Sequence, residues 1–119
     1  MQNKKALVVD SNAVSCELLH ILLEHQGYQS IETGDTREAV ELAAATSPDV
    51  ILIDLQLPRL EAYATAGKLR QDGRFKNLIV ALTERDSDPA RIAAAGFSTC
   101  LSKPVVLRGL RESLAQLPA

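Results

Sequence analysis

The sequence predicts an α/β domain: a parallel sheet with helices on both faces. Apolar runs alternate with segments of helical periodicity along the whole chain. Two of the runs, Val50-Ile51-Leu52-Ile53 and Leu78-Ile79-Val80-Ala81-Leu82, are continuously aliphatic, as strands buried on both faces are. Helix caps and turn formers punctuate the segments at short intervals.

The first strand is expected over 5–9. Ser11 or Asn12 then caps a helix reaching about residue 26, with Val14, Leu18, Ile21 and Leu22 at helical spacing and Gly27 as its stop. Residues 28–32 form a short, more polar strand suited to the sheet edge. Asp35 or Thr36 opens the second helix, through Ala39, Val40, Leu42 and Ala43, and Ser47-Pro48-Asp49 breaks it. The third strand is 50–54. A third helix covers about 61–71, with Asp72-Gly73 as its exit. The fourth strand is 78–82. Ser87-Asp88-Pro89 starts a short Ala-rich helix that ends at Gly96. The fifth strand spans about 98–102 and the last helix about 106–117.

A chain of 119 residues suffices for one domain with a full core, and we expect a single domain over 1–119. With 46% hydrophobic and 3% aromatic residues and no Trp, that core must be aliphatic. A net charge of -2 without a basic stripe argues against nucleic acid as a partner. No stretch approaches the roughly 20 apolar residues of a membrane span, so no membrane contact is expected and the domain is placed in the cytoplasm. The two cysteines, Cys16 and Cys100, are expected to be buried and reduced, and their isolation argues against a zinc site. His20 and His25, both on the first helix, are expected to be solvated.

The chemistry lies at the strand ends. Asp10, Asp54, Thr83 and Lys103 each follow or close an apolar run. If the strands are parallel, all four meet on the carboxyl rim of the sheet, where open α/β sheets place their sites. Singly, each has a simpler explanation as a cap, a turn former or a solvated charge. Packing gives no reason to gather all four on one rim.

These segments (Leu-Val-Val-Asp10, Asp54-Leu-Gln-Leu-Pro58, Ala-Leu-Thr83 and Leu-Ser-Lys103-Pro104) occur in one order over essentially the whole chain. In this the sequence resembles the receiver domain of two-component response regulators, with wording similar to receivers fused to histidine kinases. The resemblance implies a flavodoxin-like doubly wound sheet of strand order 2-1-3-4-5. It makes Asp54 the phosphoryl acceptor, attacking a phosphohistidine, with Thr83 and Lys103 completing the catalytic set. It places Mg²⁺ on Asp10, Asp54 and Gln56, and the peptide after Lys103 is often cis in this family. The implied partner is a histidine kinase or a histidine phosphotransfer protein, and the domain is expected to be a monomer or weak dimer. Any catalysis would be limited to its own phosphorylation and dephosphorylation.

Four departures from the family pattern bear on function. Ser11 stands where a second acid is usual, so Mg²⁺ should bind weakly, because a hard cation prefers anionic oxygens. Leu60-Glu61-Ala62 replaces a common Met-Asp-Gly. Glu84 follows Thr83 where a small residue is common, with Arg85 beside it. Cys100 stands in place of the switch aromatic, so phosphorylation is expected to rearrange the face around 89–112 only slightly. Two partner surfaces are candidates: one near the fourth helix, fifth strand and fifth helix, with Arg91, Arg108 and Arg111, and one on the first helix, with Val14 and Leu18. The competing function is a degenerate receiver that serves purely as a docking module. Flavin binding fails, because Asp10-Ser11-Asn12-Ala13 lacks the glycines of a phosphate-cradling loop.

Overall fold

The computed structural model describes residues 4–57, 59–73, 75–84 and 88–116. The elements run β1 (Lys4–Val9), α1 (Ala13–His25), β2 (Tyr28–Thr33), α2 (Thr36–Thr46), β3 (Val50–Asp54), α3 (Arg59–Arg70), a 3-10 turn (Gln71–Gly73), β4 (Leu78–Thr83), α4 (Pro89–Ala95), β5 (Thr99–Ser102) and α5 (Leu107–Leu114). The five strands are all parallel, in the order β2-β1-β3-β4-β5. This is the predicted doubly wound sheet, with the polar strand β2 at an edge.

Alternation along each strand makes two cores. Leu7, Val9, Ile51, Ile53, Ile79 and Ala81 face one way and pack with Ala39, Ala62, Ala66 and Leu69 of α2 and α3, and with Ile92 of α4. Ala6, Val8, Val50, Leu52, Val80 and Leu82 face the other way and meet Cys16, Leu19 and Leu23 of α1 and Leu110 and Leu114 of α5. The large side chains fully sealed from solvent are aliphatic in both layers, as the composition requires, with Phe75 and Phe97 buried in the first layer and Tyr28 in the second.

The helix caps settle what the sequence left open. Asn12, not Ser11, caps α1, its side chain accepting from Ser15 N at 3.0 Å. Asp35 caps α2 and Asp88 caps α4, each accepting from two backbone amides. Gly27 and Gly96 leave α1 and α4 in left-handed conformation, with φ +85° and +111°.

Four expectations are corrected. On α1 the buried residues are Cys16, Leu19 and Leu23, with Leu22 partly buried, while Val14 and Ile21 stand 76% and 57% exposed. The helix is apolar on two adjoining stripes, and the sheet takes the one the periodicity did not single out. Cys100 is exposed. Only Leu101 of β5 points into the core, and the opposite side of this edge strand is left open at residue 100. His20 is half-buried, hydrogen-bonded through Nδ1 to Ser30 Oγ and 3.4 Å from Glu24, so it links α1 to β2; His25 is exposed as expected. The last helix is shorter than predicted, ending at Leu114. Pro58, Arg85 and Leu117 lie outside the described residues.

Candidate functional site

The site begins with backbone that aims carboxylates. Asp10 follows β1 directly. Its amide donates to Thr33 O at 2.9 Å, which fixes the residue beside the edge strand. Its Oδ1 accepts from Asn12 N at 2.9 Å, leaving Oδ2 to face the rim. Asp54 repeats the arrangement at the end of β3, its Oδ1 accepting from Gln56 N at 2.9 Å. Both are nearly sealed from solvent, at 2% and 3% exposure.

Lys103 reaches both. Its Nζ lies 2.8 Å from Asp10 Oδ2 and 3.3 Å from Asp54 Oδ2. The lysine leaves β5 through its own amide, which donates to Thr83 O at 2.6 Å. The following peptide, Lys103–Pro104, is cis. Thr83 closes β4, is buried, and pairs in register with Ser102. The four residues picked from the sequence therefore sit on one rim. Gln56 enters through its backbone; its side chain is exposed, as are those of Ser11 and Glu84.

Electrostatics follow from this burial. Burial pushes the Asp54 carboxyl above the usual carboxylate range and the Asp10 charge adds to it, while the Gln56 amide and Lys103 pull the other way. Burial alone would lower the Lys103 amine. The hydrogen bond and charge of Asp10, then those of Asp54, outweigh it and hold the amine protonated, above its ordinary value. Cys16 donates its thiol to Asp10 O at 3.2 Å, and burial together with the Asp10 charge lifts its pKa to about 11. It is therefore a neutral thiol steadying the β1–α1 turn and a poor nucleophile.

Sequence reasoning missed three supports: the amide of Asn12, the amide of Gln56 and the Cys16 thiol. Backbone donors carry no side-chain signature, though an Asp or Asn at a helix start points to such turns. Gly34 is another. A side-chain carbon there would come within 3.2 Å of Ser11 Cα, so glycine is what lets the β2–α2 turn close against the Ser11 backbone.

The donor chemistry suits a hard divalent cation. Two carboxylates converge, and the sulfur nearby, Cys16, gives its thiol proton to Asp10 O and stays neutral. Among the described residues, however, no group of three or more His, Cys, Asp or Glu gathers around a point. Two carboxylates fit a Mg²⁺ that keeps much of its water, and do not form a closed protein cage.

Comparison with known proteins agrees with this geometry. The polar-differentiation response regulator DivK of Brucella anthropi is 31% identical over 114 residues, spanning 93% of each chain. The chemotaxis protein CheY4 of Vibrio cholerae superposes with a TM-score of 0.88 at 25% identity, over 98% of this chain and all of that one. The receiver domain of Ssk1 from Saccharomyces cerevisiae, solved with the histidine phosphotransfer protein Ypd1, shares the fold at a TM-score of 0.83 and 24% identity, over 97% of this chain and 88% of that one. Residues 6–115 match the response regulator receiver domain, and the chain belongs to that family.

Proposed function

We propose that this chain is a phosphoacceptor module of a two-component phosphorelay, with Asp54 receiving the phosphoryl group of a phosphohistidine. The observation that carries this reading is the Lys103 ammonium set between two sealed carboxylates, 2.8 and 3.3 Å away, at the mouth of the sheet. An Asp54 oxygen attacks phosphorus in line, the P–N bond breaks, and its electron pair stays on the imidazole. Such transfers depend on position and charge compensation. The Gln56 amide orients the attacking carboxylate, Lys103 supplies a fixed positive charge, and Thr83 lies on the same rim to meet a phosphoryl oxygen with its hydroxyl. Asp10, Asp54 and the Gln56 carbonyl would hold Mg²⁺, which supplies further charge compensation when bound. A cytoplasmic monomer or weak dimer that catalyses only its own phosphorylation and dephosphorylation suits this reading.

Ser11 weakens the metal site without touching the acceptor. Ser11→Asp is expected to tighten Mg²⁺ binding by about 1–3 kcal/mol, the scale of a charge-assisted contact. Mg²⁺ titration of both proteins checks this, and equal affinities would mean that another group already supplies the missing charge.

The donor must bring its histidine to Asp54, and α1 borders that rim. Val14, Leu18 and Ile21 form an outward apolar stripe on α1, and a small groove joins Val14 and Leu18 to Lys103, Pro104 and Val105. A stripe of this kind suits a helix presented by a histidine-bearing partner; a histidine phosphotransfer protein, Ypd1, is the partner crystallised with the receiver domain of Ssk1. The α4–β5–α5 face is less suited, because Arg91 is already occupied over the Tyr63 ring at 4.5 Å. The docking test is labelled phosphate transfer from a phosphorylated histidine phosphotransfer protein. Val14→Ser with Leu18→Ser should slow it at least tenfold and leave labelling by acetyl phosphate unchanged. An equal fall in both rates would show that these residues act on the pocket and not on docking.

A further inference from the structure

The two edges of the sheet are finished differently. β5 is only four residues long. β2 pairs with β1 at six consecutive positions, from Lys4 with Tyr28 to Val9 with Thr33, without a bulge. Edge strands are usually blunted by shortness, lysine, proline or a bulge. β2, Tyr-Gln-Ser-Ile-Glu-Thr, has none of these. Thr33 O accepts from Asp10 N, so the Thr33 carbonyl faces β1. Backbone groups alternate along a strand, so the amides and carbonyls of Ser30 and Glu32 face away from the sheet. They have no hydrogen-bond partner among the described residues.

The two faces beside this edge differ in chemistry. Ser30 and Glu32 lie on the side that α1 covers, level with Ala6 and Val8. There the strand turns polar, and a groove of about 800 Å³ separates it from α1. Cys16, Glu17 and His20 form one wall and Ser30 and Glu32 the other, and the groove reaches Asp10 at the rim. Among the described residues no lysine or arginine lines it, and both glutamates are exposed. On the opposite side of the sheet, Ile31 and Val40 are half-buried against the first core layer.

We propose that β2 accepts a sixth strand from a partner protein: an extended segment of alternating basic and apolar residues, with its basic side chains in the groove between Glu17 and Glu32 and its apolar ones beside Ile31. Strand addition satisfies an open edge with main-chain hydrogen bonds, and pockets on alternate sides read the side chains. A lysine next to Glu32 on the added strand makes an opposite-charge cross-strand pair. Charge selects against a second copy of this chain in the same place, because two joined β2 edges would gather both pairs of glutamates on one face.

Amide exchange, followed by NMR on the phosphoryl-free protein, tests this with a blocked hexapeptide of alternating lysine and valine. With peptide at about ten times its Kd, exchange at Ser30 and Glu32 should slow about tenfold, because their amides gain acceptors. Gln29 and Ile31, which face β1, should be protected with or without peptide. Glu17→Lys with Glu32→Lys should raise Kd about tenfold or more, since attractive contacts become repulsive. A blocked hexapeptide of alternating glutamate and valine should slow nothing. Unchanged exchange at Ser30 and Glu32 would overturn the proposal, and so would equal affinity of the double variant. Slowing that appears without peptide and grows with protein concentration would also overturn it, by placing a second copy on the edge. The wild-type exchange pattern decides even if the double variant does not fold. None of these readings involves phosphoryl transfer, so failure here and failure of the Asp54 reading are separate results.

Discussion

Lys103→Met is expected to lower the rate of phosphorylation by acetyl phosphate about 10²–10³-fold, the usual effect of removing a preorganised charge-stabilising donor. The variant loses the ammonium that sits 2.8 and 3.3 Å from Asp10 and Asp54 and gains nothing that could compensate the charge of an incoming phosphoryl group. Stability should fall with it. Two buried carboxylates would be left facing one another, and breaking a buried pair from one side costs about 3–5 kcal/mol. The raised amine pKa gives the sign: in the wild type this contribution is complete below the ordinary lysine value of 10.5 and is lost only as the pH climbs through the higher folded value. In the variant the deficit should shrink as the pH falls, because a proton can then neutralise the Asp54 carboxyl, which burial and the Asp10 charge already make easier to protonate. Thermal melts at pH 7 and pH 5, beside a labelling time course, give both readings. A variant labelled at the wild-type rate would remove Lys103 from the chemistry.

Leu52→Ala should give the largest purely structural effect. Leu52 is fully buried in the central strand β3, between β1 and β4, in the layer shared with Leu19, Leu23 and Leu110. Truncation removes apolar contact and leaves a cavity that the rigid sheet cannot close, a loss of about 2–5 kcal/mol. For a domain of this size that corresponds to roughly 10–20 °C in melting temperature. The same change at Leu18, on the outer face of α1, should cost under about 1 kcal/mol, because little packing is lost there. Chemical denaturation of the two variants checks both; similar losses would mean that α1 packs on the sheet through the other stripe.

The contrast between these two leucines shows where the sequence was informative. The strands were legible because β3 and β4 are unbroken aliphatic runs, and parallel strands sandwiched between helices need that composition. The rim was legible for a related reason. Asp10, Asp54, Thr83 and Lys103 each mark where such a run stops, and a parallel sheet brings all its carboxyl ends together. Helix α1 was not legible to the same degree. With apolar residues on two adjoining stripes, its periodicity cannot say which one faces the sheet, and tertiary packing decides. The exposure of Cys100 was hidden for another reason: it depends on β5 being a four-residue edge strand with one inward side chain. The contacts that aim the carboxylates, from the amides of Asn12 and Gln56, come from backbone that every residue possesses. The guanidinium contacts of Arg70 were equally hidden, because its acceptors are carbonyls of Phe75, Asn77 and Gly96 that only the fold gathers.

Intact-mass analysis after incubation with acetyl phosphate and Mg²⁺ tests the central claim most directly, because it asks for the acceptor without needing the partner. The wild type should gain one phosphoryl group, labile to alkali as an acyl phosphate is, and Asp54→Asn, which keeps the shape of the pocket, should gain none. An unmodified wild type at saturating Mg²⁺, or a label that survives in Asp54→Asn, would contradict the assignment of Asp54 as the phosphoryl acceptor.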